Sequence, residues 1–350
     1  MVVMETTREQ ILSRQSEPGW LLPYLWLLDS ADVGIADMTR AERNELNMAK
    51  TAPYHFHGHG RWSYWLWTIN YNRLYHEPIP QIDFMTRPHK SDERAVQNWL
   101  QHAVRRHYAW YDDAWIWLVK WLLFGFGYTG NGVEREIERL PDDLKDQWYR
   151  QVNLANLLNS PCDWSAFVLQ GGLQADKSKR SPWSRSTGFF STPIHICKMM
   201  TDMTMQAGNK KPWHDQRLET VLDPCVGTGS MLLPASNYSL RLYGQDIVND
   251  LVLCCILNGY LFMPWLVLMP EETAAMLEDQ YKTMQRLNVM HNMMARETAG
   301  VTASFSPAPV PGVIVTDDER TVQLAEERQR SAAAYWEAAR NGELEQMSMF

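Results

Sequence analysis

A ten-residue string, residues 221–230, constrains the fold more than any other part of the chain. It reads VLDPCVGTGS, so an apolar strand predicted at 220–222 runs through an acidic residue into a Gly-x-Gly turn that opens a helix. Gly227 and Gly229 let the backbone pass close to a ligand at the carboxyl end of the strand. The helix N-terminus favours a carboxylate or phosphate there. The string therefore predicts an α/β segment that binds a nucleotide-like ligand.

A second acidic residue, Asp246, follows in the string LYGQDI. Residues 241–247 are predicted as a second strand, which puts Asp246 near its end. A carboxylate in that position can accept hydrogen bonds from both hydroxyls of a ribose. The alternative is a glycine-rich turn without a ligand, in which Asp246 caps a helix. The two strings together favour the cofactor interpretation.

These strings resemble the adenine-N6 DNA methyltransferases, and most of all the modification subunits of type I restriction systems. The resembling parts are DPCVGTGSMLLPA, YGQDI, Asn258, and an upstream GFFSTP that precedes a helix predicted over Ile194–Met205. The resemblance covers residues 186–262. It implies S-adenosylmethionine as cofactor and DNA as substrate. The implied cofactor residues are Phe190, Thr192 and Pro193 at the methionine end, Asp223, Gly227 and Gly229 in the turn, and Asp246 at the ribose.

The tetrad that performs the chemistry in this family is not recognisable. Asn/Asp-Pro-Pro-Tyr/Phe normally follows the cofactor motif, holds the target amine in line with the methyl group and stacks on the flipped base. The sequence has no Pro-Pro dipeptide, and neither 159–162 nor 304–309 fits the pattern. The catalytic residue is therefore unknown. Two functions stay open: DNA adenine-N6 methylation by direct methyl transfer, or a non-catalytic DNA-associated pseudo-methyltransferase acting as scaffold, modification partner or anti-restriction factor.

Composition divides the chain into five parts. The fold class is expected to be α/β, a reduced Rossmann-like methyltransferase segment with a helical N-terminal domain and a helical C-terminal tail, because too little chain follows Asp223 for a full sheet. The predicted parts are a Trp-rich helical domain at 1–170, a basic loop or hinge at 171–187, the cofactor-binding segment at 188–299, a Pro-rich linker at 300–316, and a C-terminal helix and tail at 317–350.

An uncharged apolar run at 251–269 is long enough to be considered as a membrane span. Asn258, Gly259 and Pro264 interrupt it and no basic flank adjoins it, which favours a buried core helix. The five cysteines form no CxxC pair, as is typical of thiols in a reducing compartment. The first residues show no signal-peptide pattern. The sequence therefore predicts a cytoplasmic protein without a membrane segment.

The formal net charge of −8 argues against a protein that coats nucleic acid with its whole surface. The loop at 171–187 is nevertheless locally basic. Its residues Lys177, Lys179, Arg180 and Arg185 surround Trp183 and are predicted to contact DNA phosphates, with a solvated loop as the alternative.

Two further short patterns in the sequence each allow two interpretations. On a strand, one face would carry His55, His57 and His59, which could then bind zinc. A glycine-containing loop with solvated histidines is the more common interpretation of such a pattern, so no metal is predicted. The C-terminal string QMSMF resembles the pentapeptide by which bacterial DNA-processing proteins bind the sliding clamp, unless it is a frayed tail. Its contact residues would be Gln346, Met347, Met349 and Phe350, so the expected partners are DNA, this clamp and a partner subunit.

Overall fold

A computed structural model of the chain describes residues 8–29, 59–70, 78–174, 187–205 and 213–268. The chain divides into two units, Met1–Arg286 and Leu287–Phe350, and all described residues belong to the first. The Pro-rich linker and the C-terminal helix and tail predicted from the sequence lie outside the described residues.

Every regular element described before residue 170 is a helix, as the sequence predicts. These helices are α1 Arg8–Arg14, α2 Leu22–Asp29, α3 Arg61–Asn70, α4 Lys90–Arg106, α5 Tyr111–Gly125, α6 Val133–Arg139, α7 Asp142–Gln151, α8 Leu154–Asn159 and α9 Trp164–Leu169. The elements that follow are α10 Ile194–Met205, α11 Trp213–Gln216, β1 Thr220–Asp223, α12 Leu232–Ala235, β2 Arg241–Gly244, α13 Asn249–Phe262 and α14 Pro264–Val267.

Helix α4 shows how the helical region forms. Its buried residues Val96, Trp99, Leu100 and Ala103 recur at the spacing of one helix face. Acidic residues in its first turn and arginines in its last turn interact favourably with the helix dipole. The amphipathic pattern therefore fixes both the helix and the side that it turns to the core.

Helix α5 is the centre of the helical region and packs against α4, α6, α9 and α13. Its tryptophans Trp115 and Trp121 belong to the core, and Trp117 is half-buried against it. Trp115 is fully buried, and its indole N–H donates to the Ser165 hydroxyl at 3.0 Å. Trp148 on α7 likewise donates to the backbone carbonyl of Trp99 at 3.0 Å. Satisfied indole N–H groups allow such large rings to be buried without an orphaned donor.

The two strands form a small parallel sheet in which Thr220 pairs with Arg241 and Asp223 with Gly244. α12 lies in the connection and packs on both strands, so this part is one β-α-β unit. Strand β2 ends at Gly244, earlier than predicted, because the chain turns there towards α13. Both acidic residues singled out in the sequence lie at the carboxyl ends of these strands.

The described part of the apolar run, residues 251–268, is a core segment. It provides most of α13, which packs against α5, and then α14, which begins at Pro264. Within the described ranges, no helix is long and apolar enough to cross a membrane. Pro264 therefore separates two helices: α13 ends at Phe262, and a short second helix, which the sequence analysis did not predict, begins at Pro264.

Arg61 joins the helical region to the β-α-β unit. Its buried guanidinium donates to the carbonyl of Pro80 at 2.9 Å, to the Ser236 hydroxyl at 2.6 Å and to the carbonyl of Phe262 at 2.7 Å. Burial lowers the pKa of Arg61 to about 9, and the nearby Asp29 opposes this shift. One continuous hydrophobic core accordingly includes residues from α2 to α14.

Candidate cofactor site

The Gly-x-Gly turn requires glycine at both positions. Gly227 has φ of 54° and Gly229 has φ of 93°, in the left-handed region that side chains disfavour. A Cβ atom on Gly229 would lie 2.9 Å from the sulfur of Cys255 on α13. A Cβ atom on Gly227 would lie 3.2 Å from the ring of Phe189. The turn is therefore packed closely between α13 and the segment that precedes α10.

The two acidic residues hold the backbone around this turn. Asp246 accepts the Gly227 backbone N–H on Oδ2 and the Val248 backbone N–H on Oδ1, both at 2.9 Å. Asp223 accepts the Cys225 backbone N–H at 3.0 Å. Each carboxylate oxygen keeps a second lone-pair direction. Asp246 can thus orient the turn and still accept a ligand hydroxyl.

The Phe-x-Thr-Pro element reaches the turn through a residue that the sequence did not single out. The Ser191 hydroxyl lies 2.7 Å from the Ser230 hydroxyl at the end of the turn. Phe190 is 71% exposed, and Thr192 and Pro193 lead directly into α10. Only Ser191 is therefore seen in hydrogen-bond contact with the turn, and the three predicted residues flank it.

Asp163 is a site residue that the sequence gave no reason to choose. It precedes α9, is buried, and accepts hydrogen bonds from the Thr228 hydroxyl at 2.6 Å and the Ser230 hydroxyl at 2.5 Å. It also accepts the Ala166 backbone N–H at 2.9 Å and the Asn258 side-chain amide at 3.2 Å. Burial raises the pKa of Asp163, and these hydrogen bonds oppose that shift. The sequence around Asp163 indicates only that this residue caps the N-terminus of a helix.

Exposed apolar side chains lie beside these polar groups. Ile247, next to Asp246, is fully exposed, and Phe190 is largely exposed. Isolated exposed apolar residues are common on protein surfaces. At the carboxyl edge of a parallel sheet, however, such side chains can cover the flat face of a bound heterocycle.

Several predicted residues lie outside the described parts of the chain, namely Lys177, Lys179, Arg180, Arg185, His55, His57, Gln346, Met347, Met349 and Phe350. His59 is described, and its Nε2 lies 2.7 Å from the carbonyl oxygen of Leu158. Burial lowers the pKa of His59, which favours the neutral ring.

A single group of potential metal ligands occurs in the described ranges, formed by His102, His107 and Asp143. The Nε2 atoms of the histidines lie 3.4 and 2.9 Å from Asp143 Oδ2. The Arg106 guanidinium lies 3.9 Å from the same oxygen. This cation and the two imidazoles account for the cluster as an ion-pair network. It lies on α4 and α7, neither of which contributes to the turn.

Residues 180–263 match the sequence model of a family described as N-6 DNA methylase. The matched part includes the Phe-x-Thr-Pro element, the Gly-x-Gly turn, Asp246 and α13, and it excludes Asp163. No curated protein and no solved structure gives a significant match to the chain.

Proposed function

We propose, because residues 180–263 match the N-6 DNA methylase family, that the protein binds S-adenosylmethionine and DNA and acts in adenine-N6 methylation. The observation that carries the proposal is the hydrogen bond from Gly227 to Asp246. It joins the left-handed turn to an acidic residue at the carboxyl ends of two parallel strands, where such folds bind nucleotides. We further propose that the segment is a reduced Rossmann-like fold.

The residues at this edge fit the proposed cofactor. Asp246 has lone pairs left for the ribose hydroxyls, and Ile247 offers an apolar surface for the adenine ring. The turn at Gly227 carries no side chain that would keep a ligand away from the backbone. Phe190 and Thr192 would border the methionine end. When bound, S-adenosylmethionine supplies a methyl group on a positively charged sulfur.

The chemical step remains without an assigned residue. The family match ends at residue 263, before any tetrad, and the sequence contains no Pro-Pro dipeptide. The missing Pro-Pro tetrad is the sequence-based reason for a second candidate, a non-catalytic pseudo-methyltransferase that serves as scaffold, modification partner or anti-restriction factor; the family match gives this candidate no support of its own. In that case a partner subunit would supply the groups that hold the flipped adenine.

Calorimetric titration with S-adenosylmethionine tests the cofactor site. We expect the wild type to bind and Asp246→Ala to bind at least about tenfold more weakly, because it loses hydrogen bonds to a charged group. Asp142→Ala, which removes an exposed carboxylate from the start of α7, is the matched control and should bind like the wild type. No binding by the wild type at millimolar cofactor would refute the proposed site.

Transfer of a labelled methyl group to mixed-sequence DNA separates the two candidate functions. We expect weak or absent transfer by the isolated chain because the tetrad is missing. Robust turnover by pure protein would contradict the non-catalytic candidate. It would also show that residues other than a Pro-Pro tetrad hold the adenine.

The proposed DNA contact is the basic loop with Lys177, Lys179, Arg180 and Arg185. Replacing all four by alanine should weaken DNA binding and lower the salt slope of the affinity by about one unit per lost phosphate contact. An unchanged slope would exclude the loop as the contact.

The proposed clamp contact is the C-terminal pentapeptide. A Gln346→Ala, Phe350→Ala double variant should lose binding to purified sliding clamp in a fluorescence titration, because it removes the orienting amide and the aromatic anchor. Equal binding by the double variant and the wild type would exclude it.

A further inference from the structure

We propose that Asp163, which lies outside the matched segment, is a positioning residue that holds the Gly-x-Gly turn in its cofactor-binding shape. The inference rests on the cofactor function proposed above. It makes the helical region part of the cofactor site, although the family match does not include that region.

The carboxylate of Asp163 has all its acceptor positions in use. Oδ1 accepts the Ala166 backbone N–H and the Asn258 amide, and Oδ2 accepts the hydroxyls of Thr228 and Ser230. A carboxylate offers about four acceptor sites, so none is left for a proton transfer or a ligand. The side chain is therefore suited to fixing its four donors in place and not to reacting.

Asp163 fixes the two residues of the turn that carry hydroxyl groups. Glycines at 227 and 229 alternate with Thr228 and Ser230, and both hydroxyl side chains are anchored on Asp163. Since glycine backbone is otherwise free to change conformation, the two anchored residues determine which way the intervening peptide groups point. The chain of contacts thus orients the backbone that would face the cofactor.

The same carboxylate connects the other parts of the site. The Ser230 hydroxyl also contacts the Ser191 hydroxyl at 2.7 Å, which brings in the Phe-x-Thr-Pro element. The Asn258 amide also donates to the Thr228 carbonyl at 2.8 Å, which brings in α13. One side chain of the helical region is consequently linked to the Gly-x-Gly turn, to the Phe-x-Thr-Pro element and to α13.

The substitution Asp163→Asn tests the proposal with almost no change in volume. The amide oxygen could still accept the Ala166 N–H and the Asn258 amide, but the amide NH₂ would then face the hydroxyls of Thr228 and Ser230. Both hydroxyls would lose their charged acceptor and would have to reorient to accept a hydrogen bond instead. Asp92→Asn is the matched control, because Asp92 is also buried in the helical region and accepts the Ser160 hydroxyl at 2.7 Å, but does not contact the turn. Cofactor affinity is measured well below the unfolding temperature of each variant.

We expect both variants to be less stable than the wild type, and only Asp163→Asn to bind S-adenosylmethionine at least about tenfold more weakly. Wild-type affinity in Asp163→Asn, with binding lost in Asp246→Ala, would overturn the inference and leave the proposed function intact. A wild type that does not bind would instead refute the proposed function.

A second pair of variants keeps the test decisive if Asp163→Asn does not fold. Thr228→Val keeps the shape of the side chain and removes the hydroxyl, whereas Thr228→Ser keeps the hydroxyl and removes a methyl group. We expect Thr228→Val to lose about five- to tenfold in affinity and Thr228→Ser to bind like the wild type. Equal affinities in the two variants, or weaker binding by Thr228→Ser, would contradict a positioning role.

Discussion

The helical region within 8–174 and the described part of the matched segment, residues 187–263, bury their apolar side chains to different extents. All large apolar side chains found exposed in the described ranges belong to the matched segment. They are Phe190, Met199, Met200, Met203, Leu222 and Ile247. The helical region covers its large apolar residues because helices surround α5. In the segment, α12 packs on both strands and Leu242 is buried, while Leu222, on the opposite face of the sheet from Leu242, is 60% exposed.

This difference shows where the stability of the matched segment originates. A parallel sheet is normally buried on both faces, and two strands alone are marginally stable. Here the segment is held by α13, which is buried against α5, and by the contacts of Arg61 and Asp163. We conclude that the segment depends in part on packing against the helical region.

The largest expected effect comes from Trp115. Trp115→Ala should lower the free energy of unfolding by about 3–5 kcal/mol, because it removes a fully buried ring and the hydrogen bond to Ser165. Leu222→Ala should change it by about 0.5 kcal/mol or less, since the side chain is mostly exposed. Denaturant unfolding measures both values.

The same experiment tests whether the segment depends on the helical region for its stability. If the segment depends on the helical region, Trp115→Ala should lower the unfolding midpoint of probes in both regions together. A variant in which the segment keeps its own, unchanged transition would show that its sheet is independently stable.

An intermediate effect is expected at the turn glycines. Gly132 before α6 and Gly229 both have positive φ, but a Cβ atom at Gly132 would meet nothing within 4 Å. Gly132→Ala should therefore lower the free energy of unfolding by about 1–2 kcal/mol, because alanine is disfavoured there only by the left-handed backbone. Gly229→Ala should lower the free energy of unfolding by about 1–3 kcal/mol more than Gly132→Ala, because the new Cβ atom would collide with Cys255 and displace it. Equal losses in thermal unfolding would mean that α13 does not pack tightly on the turn.

The smallest effect concerns Asp143. The hydrogen bond from His107 lowers the pKa of this carboxyl, desolvation opposes the shift, and His102 adds to it. The folded pKa is below the unfolded value of 3.8, so the stabilisation is present above that pH and is lost as the pH falls through the folded pKa. Because the groups are partly exposed, the contribution to stability is small.

His107→Ala should return the pKa of Asp143 towards 3.8, as followed by NMR titration of its carboxyl carbon. His195→Ala, on the exposed side of α10, is the control and should leave it unchanged. A pKa of Asp143 that is the same in all three proteins would exclude the ion-pair network.

The parts of the fold that local sequence determines were predictable. The bounds of α10, the strand at 220–222 and the burial of the run at 251–269 follow from apolar spacing and from proline, and the structure confirms them. The place of Asp246 close to the end of the second strand was expected from its string, but its hydrogen bond with Gly227 was not. Asp163 and Arg61 were not predictable, because their partners are distant in sequence and no local pattern records such pairings.

The buried guanidinium of Arg61 has a consequence for how the protein is made. Its acceptors Ser236 and Phe262 lie 175 and 201 residues further along the chain. During synthesis, which proceeds from the N-terminus, the helical region is therefore complete long before Ser236 and Phe262 are available to this cation. Since a buried charge with too few partners is costly, we expect the early helices to stay loosely assembled on the ribosome until α13 has been translated.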